Sequence, residues 1–151
     1  IIICTTDLGL QNSYDNGKTW QRMEITGEDY DIYNTCYDLY FDKYKKNVGE
    51  IAYIFCSNKK ILEVNKQYLQ HDYYTDIITF DYCERDVLNG DIFISIETVS
   101  SNAERFRVSF EEELRRILIH GILHLCGQDD KTPALRAEMT KKENEALEML
   151  G

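Results

Sequence analysis

The chain has 151 residues, of which 43% are apolar and 29% are charged, as is typical of one globular domain, and no apolar run approaches the roughly 20 residues that cross a bilayer. The formal net charge of −10 argues against strong non-specific binding to nucleic acid, which depends on neutralising phosphates, but a local basic groove is compatible with it. Five scattered cysteines without a CxxC pair argue against a disulfide framework and favour the reducing cytoplasm.

The first 48 residues contain two patterns that we interpret as structural. The stretch from Ser13 to Trp20 matches the Asp-box S-x-D-x-G-x-T-W and predicts a hairpin turn, because its Asn-Gly pair tolerates positive φ. Asp-boxes recur in β-propellers, and one copy cannot build a blade. Aromatic residues at helical spacing between Tyr30 and Lys46 predict a helix that packs on a sheet.

The middle of the chain alternates between strand and helix patterns. Continuous or β-branched apolar runs predict strands, and apolar residues at i, i+3 and i+4 predict helices. In chain order, these are a strand at Ile51–Phe55, a helix at Lys59–Leu69, a strand at Thr75–Phe80, a loop containing Asn89-Gly90, a strand at Asp91–Ile96 and a short helix at Glu97–Phe106.

The clearest helix begins after Ser109. Ser109 and Glu112 form a capping-box pattern, and three glutamates in the first turn suit the helix dipole. Gly127 predicts where this helix ends. A last helix is predicted after Thr132, with Pro133 at its first position.

The helix that begins after Ser109 carries a candidate metal site. His120 and His124 are one helical turn apart, so their imidazoles lie on one face and can approach one cation. Gly127 can turn the chain back, so that Asp130 returns to the same ion. Two imidazoles and a carboxylate with an open position for water form a recognised catalytic zinc arrangement. The alternative is that both histidines only pack in the core.

Three neighbouring residues leave choices open at this site. Asp129 is a candidate partner of a ligand histidine and could replace Asp130 as the third ligand. Cys126 lies two residues after His124, on another side of the helix, so packing explains it better than metal binding. Metzincin proteases share the ligand spacing but have a glutamate directly after the first histidine, where this chain has Gly121. A peptidase function is therefore disfavoured.

The run from His120 to Asp130 resembles the motif H-G-x-L-H-L-x-G-x-D-H of the YbeY family. Upstream, Asn65–Tyr68, Thr75–Phe80 and Gly90–Ser95 match family segments in the same order, so the resemblance extends from about Gly49 to the C-terminus. It implies an α/β (α+β) fold in which a small mixed β-sheet packs against helices and the metal site lies on a central helix. We expect one domain over residues 1–151, with residues 1–48 atypical of the family.

The resemblance also implies a function. The family consists of single-strand-specific, metal-dependent endoribonucleases that act in 16S rRNA 3′-end maturation and ribosome quality control. We therefore expect one zinc ion per chain at His120, His124 and Asp130. The expected partners are single-stranded RNA or rRNA and ribosomal or small-subunit assembly proteins, without DNA or membrane. The alternative is a ribosome-assembly binding factor with a largely structural metal.

Two substitutions depart from the family motif. The third family ligand is a histidine, where this chain has Asp130, and carboxylate oxygen also binds zinc. The family has an arginine after the tyrosine of N-x-x-Y, where this chain has Leu69. Such an arginine would clamp phosphate. His71 is the candidate acid–base or phosphate-binding residue that could replace it, with an exposed loop histidine as the alternative.

Overall fold

The computed structural model describes residues 2–6, 9–13, 21–22 and 44–150. Most of the helix predicted between Tyr30 and Lys46 lies outside the described residues, as do residues 14–20 of the Asp-box segment. Among the helices of the described ranges, none combines the length and apolar character that crossing a bilayer requires.

Within the described residues, six strands form one mixed sheet, in the spatial order β3-β2-β1-β4-β6-β5. β4 and β6 are parallel, whereas the other neighbours are antiparallel. The small mixed sheet expected from the sequence is therefore confirmed. The strands are β1 Ile2–Thr6, β2 Gly9–Ser13, β3 Gln21–Arg22, β4 Asn47–Cys56, β5 Ile77–Asp81 and β6 Val87–Ser95.

The helices begin within one residue of the positions that the sequence predicts. They are α1 Asn58–Val64, which continues into a π-helical turn at Asn65–Leu69, α2 Ile96–Phe106, α3 Phe110–Leu125 and α4 Pro133–Leu150. Ser109 and Glu112 form both hydrogen bonds of the capping box at the start of α3. The hydroxyl of Thr132 accepts from the amide of Leu135, 3.2 Å away, at the start of α4. The expected combination of mixed sheet and packed helices is confirmed as an α+β fold.

α3 is the helix most deeply embedded in the core. A Cβ atom at Gly121 would lie 2.9 Å from Ile92 Cγ2 and 3.0 Å from Ile77 Cδ1, so glycine lets α3 pack closely on β5 and β6. Another side of the helix is covered by α4, where Glu143 contacts Arg116 and His120. The fully buried side chains of this core include Leu88, Ile92, Ile94, Ile119, Leu123 and Met139. Because α3 is fixed on two sides, its remaining face presents side chains in a defined position.

The predicted loop at Asn89-Gly90 is wrong. Both residues lie inside β6, and the chain reverses earlier, at a turn where Arg85 has φ +56°. Gly90 is required for packing instead, because a Cβ there would lie 2.6 Å from the carbonyl oxygen of Phe80 and 2.7 Å from Leu125 Cδ2. The Asn-Gly pair is a strong turn signal in isolation, but tertiary packing on α3 determines its conformation here.

Candidate metal centre

Three candidate ligands meet at the end of α3. Ligand atoms of His120, His124 and Asp130 all lie within 4.8 Å of one another. The two Nε2 atoms are 2.9 Å apart, and Asp130 Oδ2 lies 3.8 Å from His120 Nε2. Within the described ranges, this is the cluster of histidine, cysteine and acidic residues that is arranged to hold an ion.

A Schellman turn brings Asp130 back to the helix. Gly127 has φ +87°, in the left-handed region that favours glycine. Its amide donates to the carbonyl of His124, and the amide of Gln128 donates to that of Leu123, each at 2.9 Å. The chain therefore reverses directly after the second histidine. Arg136 of α4 then holds the next segment through the carbonyl oxygens of Asp130 and Lys131, at 3.2 and 3.3 Å.

Both imidazoles have their Nδ1 atoms occupied by acceptors. His124 Nδ1 donates to the backbone carbonyl of Gln128 at 2.9 Å, and His120 Nδ1 donates to a carboxylate oxygen of Glu143 at 2.7 Å. The proton of each neutral ring is therefore on Nδ1, and its Nε2 carries a lone pair. Two lone pairs that face each other at 2.9 Å repel unless a cation or a proton lies between them.

Burial and nearby charge act on the two rings in opposite directions. Burial disfavours a charged His120, but the hydrogen bond and charge of Glu143, with the charges of Asp130 and Asp76, outweigh it and raise the pKa of His120. For His124, burial and the positive charge of His120 lower the pKa. Burial also opposes ionisation of Glu143, yet its bonds to His120 and Arg116 lower its pKa. Glu143 therefore stays negatively charged beside the His120 ring.

The residues fit a divalent ion. Zn–N distances near 2.0–2.1 Å with tetrahedral geometry place two coordinating nitrogens about 3.3 Å apart, close to the separation between the two Nε2 atoms. Two neutral imidazole nitrogens and one carboxylate are a donor set suited to zinc. Each histidine is already oriented by an acceptor on its other nitrogen, as ligand histidines commonly are. The cluster is thus compatible with a metal ion.

The geometry separates the two neighbouring aspartates. Asp130 faces the histidines, whereas Asp129 Oδ1 accepts from the backbone amides of Asp130 and Lys131, at 2.8 and 3.1 Å. Asp129 therefore stabilises the turn. Cys126 lies beside the cluster without joining it, and burial raises the pKa of its thiol to about 12. A thiol that stays protonated is a poor metal ligand, which agrees with its interpretation as a packing residue.

The residue after the first histidine faces away from the candidate ligands. Gly121 is buried against Ile92 and Ile77, where even a Cβ atom is crowded. A glutamate at this position, which a metzincin uses as its general base, would require α3 to move off the sheet. The packing of α3 thus adds a steric argument against the peptidase alternative.

Two clefts meet at the cluster. A cleft of about 870 Å³ is lined by His120, Asp130 and Glu143, and a second of about 480 Å³ is lined by His124 and Lys131. We call them the larger cleft and the smaller cleft. His71 and Leu69 both line the smaller cleft, so the structure brings them to the same cavity as His124. The candidate ligands therefore lie between two open cavities that a polymeric substrate can reach.

Sequence reasoning did not identify Glu143 or the carbonyl of Gln128 as partners of the histidines. Glu143 is 6% exposed, and Arg116 Nη1 donates to its second oxygen at 3.1 Å. Its spacing from Met139 and Ala146 places it on the buried face of α4, and a charged residue on such a face is the available signal. The carbonyl of Gln128 gives no sequence signal, because any residue supplies one.

The fold and the cluster together define a class, an α+β protein with a His-x3-His cluster, compatible with a metal ion, at the end of its central helix. The chain matches the family model described as Endoribonuclease YbeY over residues 17–151. The chain therefore belongs to this family, as the motif indicated. The match to the family model begins at residue 17, whereas the resemblance to the family's motifs begins at about Gly49.

Curated relatives and a solved structure agree with this membership. A Bacteroides fragilis protein named Endoribonuclease YbeY is 67% identical over 106 residues, which cover 70% of this chain and 76% of that protein. A protein of the same name from Porphyromonas gingivalis is 56% identical over 108 residues, or 72% of each chain. A Thermotoga maritima protein known from a solution structure is 30% identical, with a TM-score of 0.53 over 83% of this chain and 85% of that one.

Proposed function

We propose that this protein is a single-strand-specific endoribonuclease that hydrolyses RNA phosphodiesters with one zinc ion held by His120, His124 and Asp130. The observation that supports the proposal best is the approach of the two Nε2 atoms to 2.9 Å, while each Nδ1 atom contacts an acceptor on its other side. Membership of a family whose model is described as an endoribonuclease supplies the substrate class. We also propose that the protein acts in 16S rRNA 3′-end maturation in the cytoplasm. Residues 1–151 would form one domain.

The residues around the proposed ion have different roles in hydrolysis. His120, His124 and Asp130 would hold a divalent ion, which would supply Lewis-acid chemistry for a phosphoryl oxygen and for water. Glu143 and the carbonyl of Gln128 hold the protons on Nδ1, so that both Nε2 atoms stay available as ligands. Lys131 lies at the smaller cleft and can neutralise a phosphate there.

His71 is our candidate for proton transfer or phosphate binding. It is exposed and lines the smaller cleft beside His124. The hydroxyl of Tyr73 lies 3.0 Å from His71 Nδ1, and this contact orients the ring. Leu69 supplies no positive charge at the position where the family has an arginine, so His71 and Lys131 are our candidates in this cleft for binding phosphate.

Cleavage of a labelled single-stranded RNA by pure protein tests the proposal. We expect cleavage that a chelator abolishes and added Zn²⁺ restores, with little cleavage of duplex RNA or single-stranded DNA. His120→Ala and His124→Ala should lose both metal and activity, while Glu111→Ala, at an exposed residue of the same helix, keeps them. Full metal content without chelator-sensitive cleavage in the wild type would favour the ribosome-assembly binding factor.

A further inference from the structure

Several aromatic side chains stay exposed at the rims of the two clefts. Tyr73 lines the smaller cleft and is 56% exposed, and Tyr74 lines the larger cleft and is 63% exposed. Phe106, also exposed, lines the larger cleft as well. Exposed apolar area concentrated around a cavity is a common mark of a binding surface.

The two tyrosines are consecutive but face different cavities. Thr75, the next residue, lines both clefts. The segment Tyr73–Thr75 therefore forms the boundary between the clefts. The candidate ligands are divided in the same way, since His124 lines the smaller cleft while His120 and Asp130 line the larger one. A phosphate at the metal centre would thus have one exposed tyrosine on each side.

The loop that carries Tyr73 is held in place by a buried polar residue. Asn65 is 2% exposed, and its side-chain amide donates to the carbonyl of Tyr73 at 2.9 Å. Its own carbonyl accepts from the amide of His71 at 3.2 Å. The His71 and Tyr73 rings are stacked, with centroids 5.1 Å apart and planes at 22°. The exposed ring of Tyr73 is therefore positioned before any ligand binds, which reduces the entropy lost on binding.

Each cleft also has a cation at its rim. Arg105 lies over the ring of Phe106, with its guanidinium carbon 5.5 Å from the ring centroid, in the larger cleft. Lys131, whose side chain is 84% exposed, lies at the smaller cleft. Aromatic rings beside basic groups are the combination with which proteins bind single-stranded nucleic acid. Four carboxylates also line the larger cleft, so the two cations offer local contacts beside the rings and no net positive charge.

We propose that Tyr73 and Tyr74 are base-stacking residues that bind the two nucleobases flanking the scissile phosphate of single-stranded RNA, one base in each cleft; this inference rests on the proposed function. A nucleotide with its base on Tyr73 occupies the smaller cleft, and its neighbour on Tyr74 occupies the larger one. Bases in a duplex are already stacked and paired, so they cannot separate onto rings in different cavities. The divided pair of rings therefore selects single strands without reading their sequence.

Single-turnover cleavage over a range of enzyme concentrations gives the apparent Kd and the cleavage rate together. We expect Tyr73→Leu and Tyr74→Leu each to raise the apparent Kd for a short single-stranded RNA by about 5- to 150-fold, the effect of losing one stacked base. Tyr74→Phe should keep the apparent Kd near the wild-type value, because stacking needs the ring and not the hydroxyl. Tyr82→Leu, at an exposed tyrosine outside both clefts, is the matched control.

An RNA with one abasic nucleotide next to the mapped cleavage site identifies which base each ring binds. If Tyr73 stacks that base, the abasic RNA binds Tyr73→Leu as well as it binds the wild type, so the two losses are not additive. Cleavage by the wild type with both leucine variants matching Tyr82→Leu would overturn this inference and leave the proposed function standing. Absence of metal-dependent cleavage in the wild type would overturn both.

Discussion

At the residue scale, the candidate metal centre depends on which nitrogen of each imidazole carries the proton. Glu143 and Gln128 hold the two protons on Nδ1, at 2.7 and 2.9 Å, and leave both Nε2 atoms facing the same point. The third position is defined less strictly, since Asp130 lies on a turn and its side chain is 37% exposed. Substitutions at this third position therefore test the proposed ligand set most directly.

Asp130→Ala should lower zinc affinity by about 100-fold or more, beyond the 10- to 100-fold typical of a residue that only orients a ligand. Asp130→His should retain zinc, because imidazole is also a zinc ligand and is the family's residue here. Asp129→Ala, whose carboxylate accepts from the backbone of the turn, is the control and should change affinity little. Competition with a chromogenic chelator measures all three. Loss of zinc in Asp129→Ala but not in Asp130→Ala would reverse the assignment.

Leu69→Arg should accelerate RNA cleavage. Leu69 is 42% exposed and lines the smaller cleft beside His124, where a guanidinium can reach a phosphate. One donor to the transition state contributes on the order of 100- to 1,000-fold in other enzymes, so we expect a gain of up to about 100-fold in the single-turnover rate. Gln70→Arg adds the same charge one residue away and corrects for plain RNA affinity. Equal gains in both variants would argue against a catalytic role for position 69.

At the scale of elements, α4 completes a site that α3 begins. Glu143 reaches His120 across 23 positions of sequence, and Arg136 holds the turn that follows α3. The sequence predicted α3, its cap and the turn at Gly127, because these depend on local periodicity and local hydrogen bonds. It did not predict the contact with Glu143, because the packing of α4 on α3 is tertiary. The prediction of a loop at Asn89-Gly90 was wrong for the same reason, because the packing of Gly90 against Leu125 is tertiary.

Glu143→Gln should weaken zinc binding by about 10- to 100-fold at pH 8, because an oriented and charged acceptor is lost. It should also change the pH dependence. The Glu143 hydrogen bond and charge outweigh burial and raise the pKa of His120, so protons begin to compete with the metal at a higher pH. In Glu143→Gln this pKa falls, and the pH below which the apparent Kd rises should move down.

Isothermal titration of zinc between pH 5 and pH 8 measures both effects of this substitution. Glu138→Gln, on an exposed side chain of the same helix that is paired with Lys142, is the control. An unchanged break in the pH profile would show that Glu143 does not act through His120. A large loss of affinity in the control would indicate a general effect of α4.

At the scale of the whole molecule, the candidate ligands lie where α3 meets the segment that leads into α4, and α3 and α4 also contact each other through Glu143. His120 and His124 belong to α3, and Asp130 belongs to the segment that leads into α4. The two clefts open on either side of this junction, which places the site where substrate can enter from both sides. The family resemblance implied a metal site on a central helix, but the two clefts and the division of Tyr73 and Tyr74 between them required the structure.

Zinc should therefore stabilise the native protein as a whole. An ion that binds only the folded state at 100 times its Kd adds about 2.7 kcal/mol, which in a domain of this size corresponds to a rise in Tm of about 5–11 °C. Thermal unfolding followed by circular dichroism, with zinc and with a chelator, measures the shift. His120→Ala should show almost none, and Mg²⁺, which prefers oxygen ligands, should do little for the wild type. An equal zinc shift in His120→Ala would place the stabilising ion elsewhere.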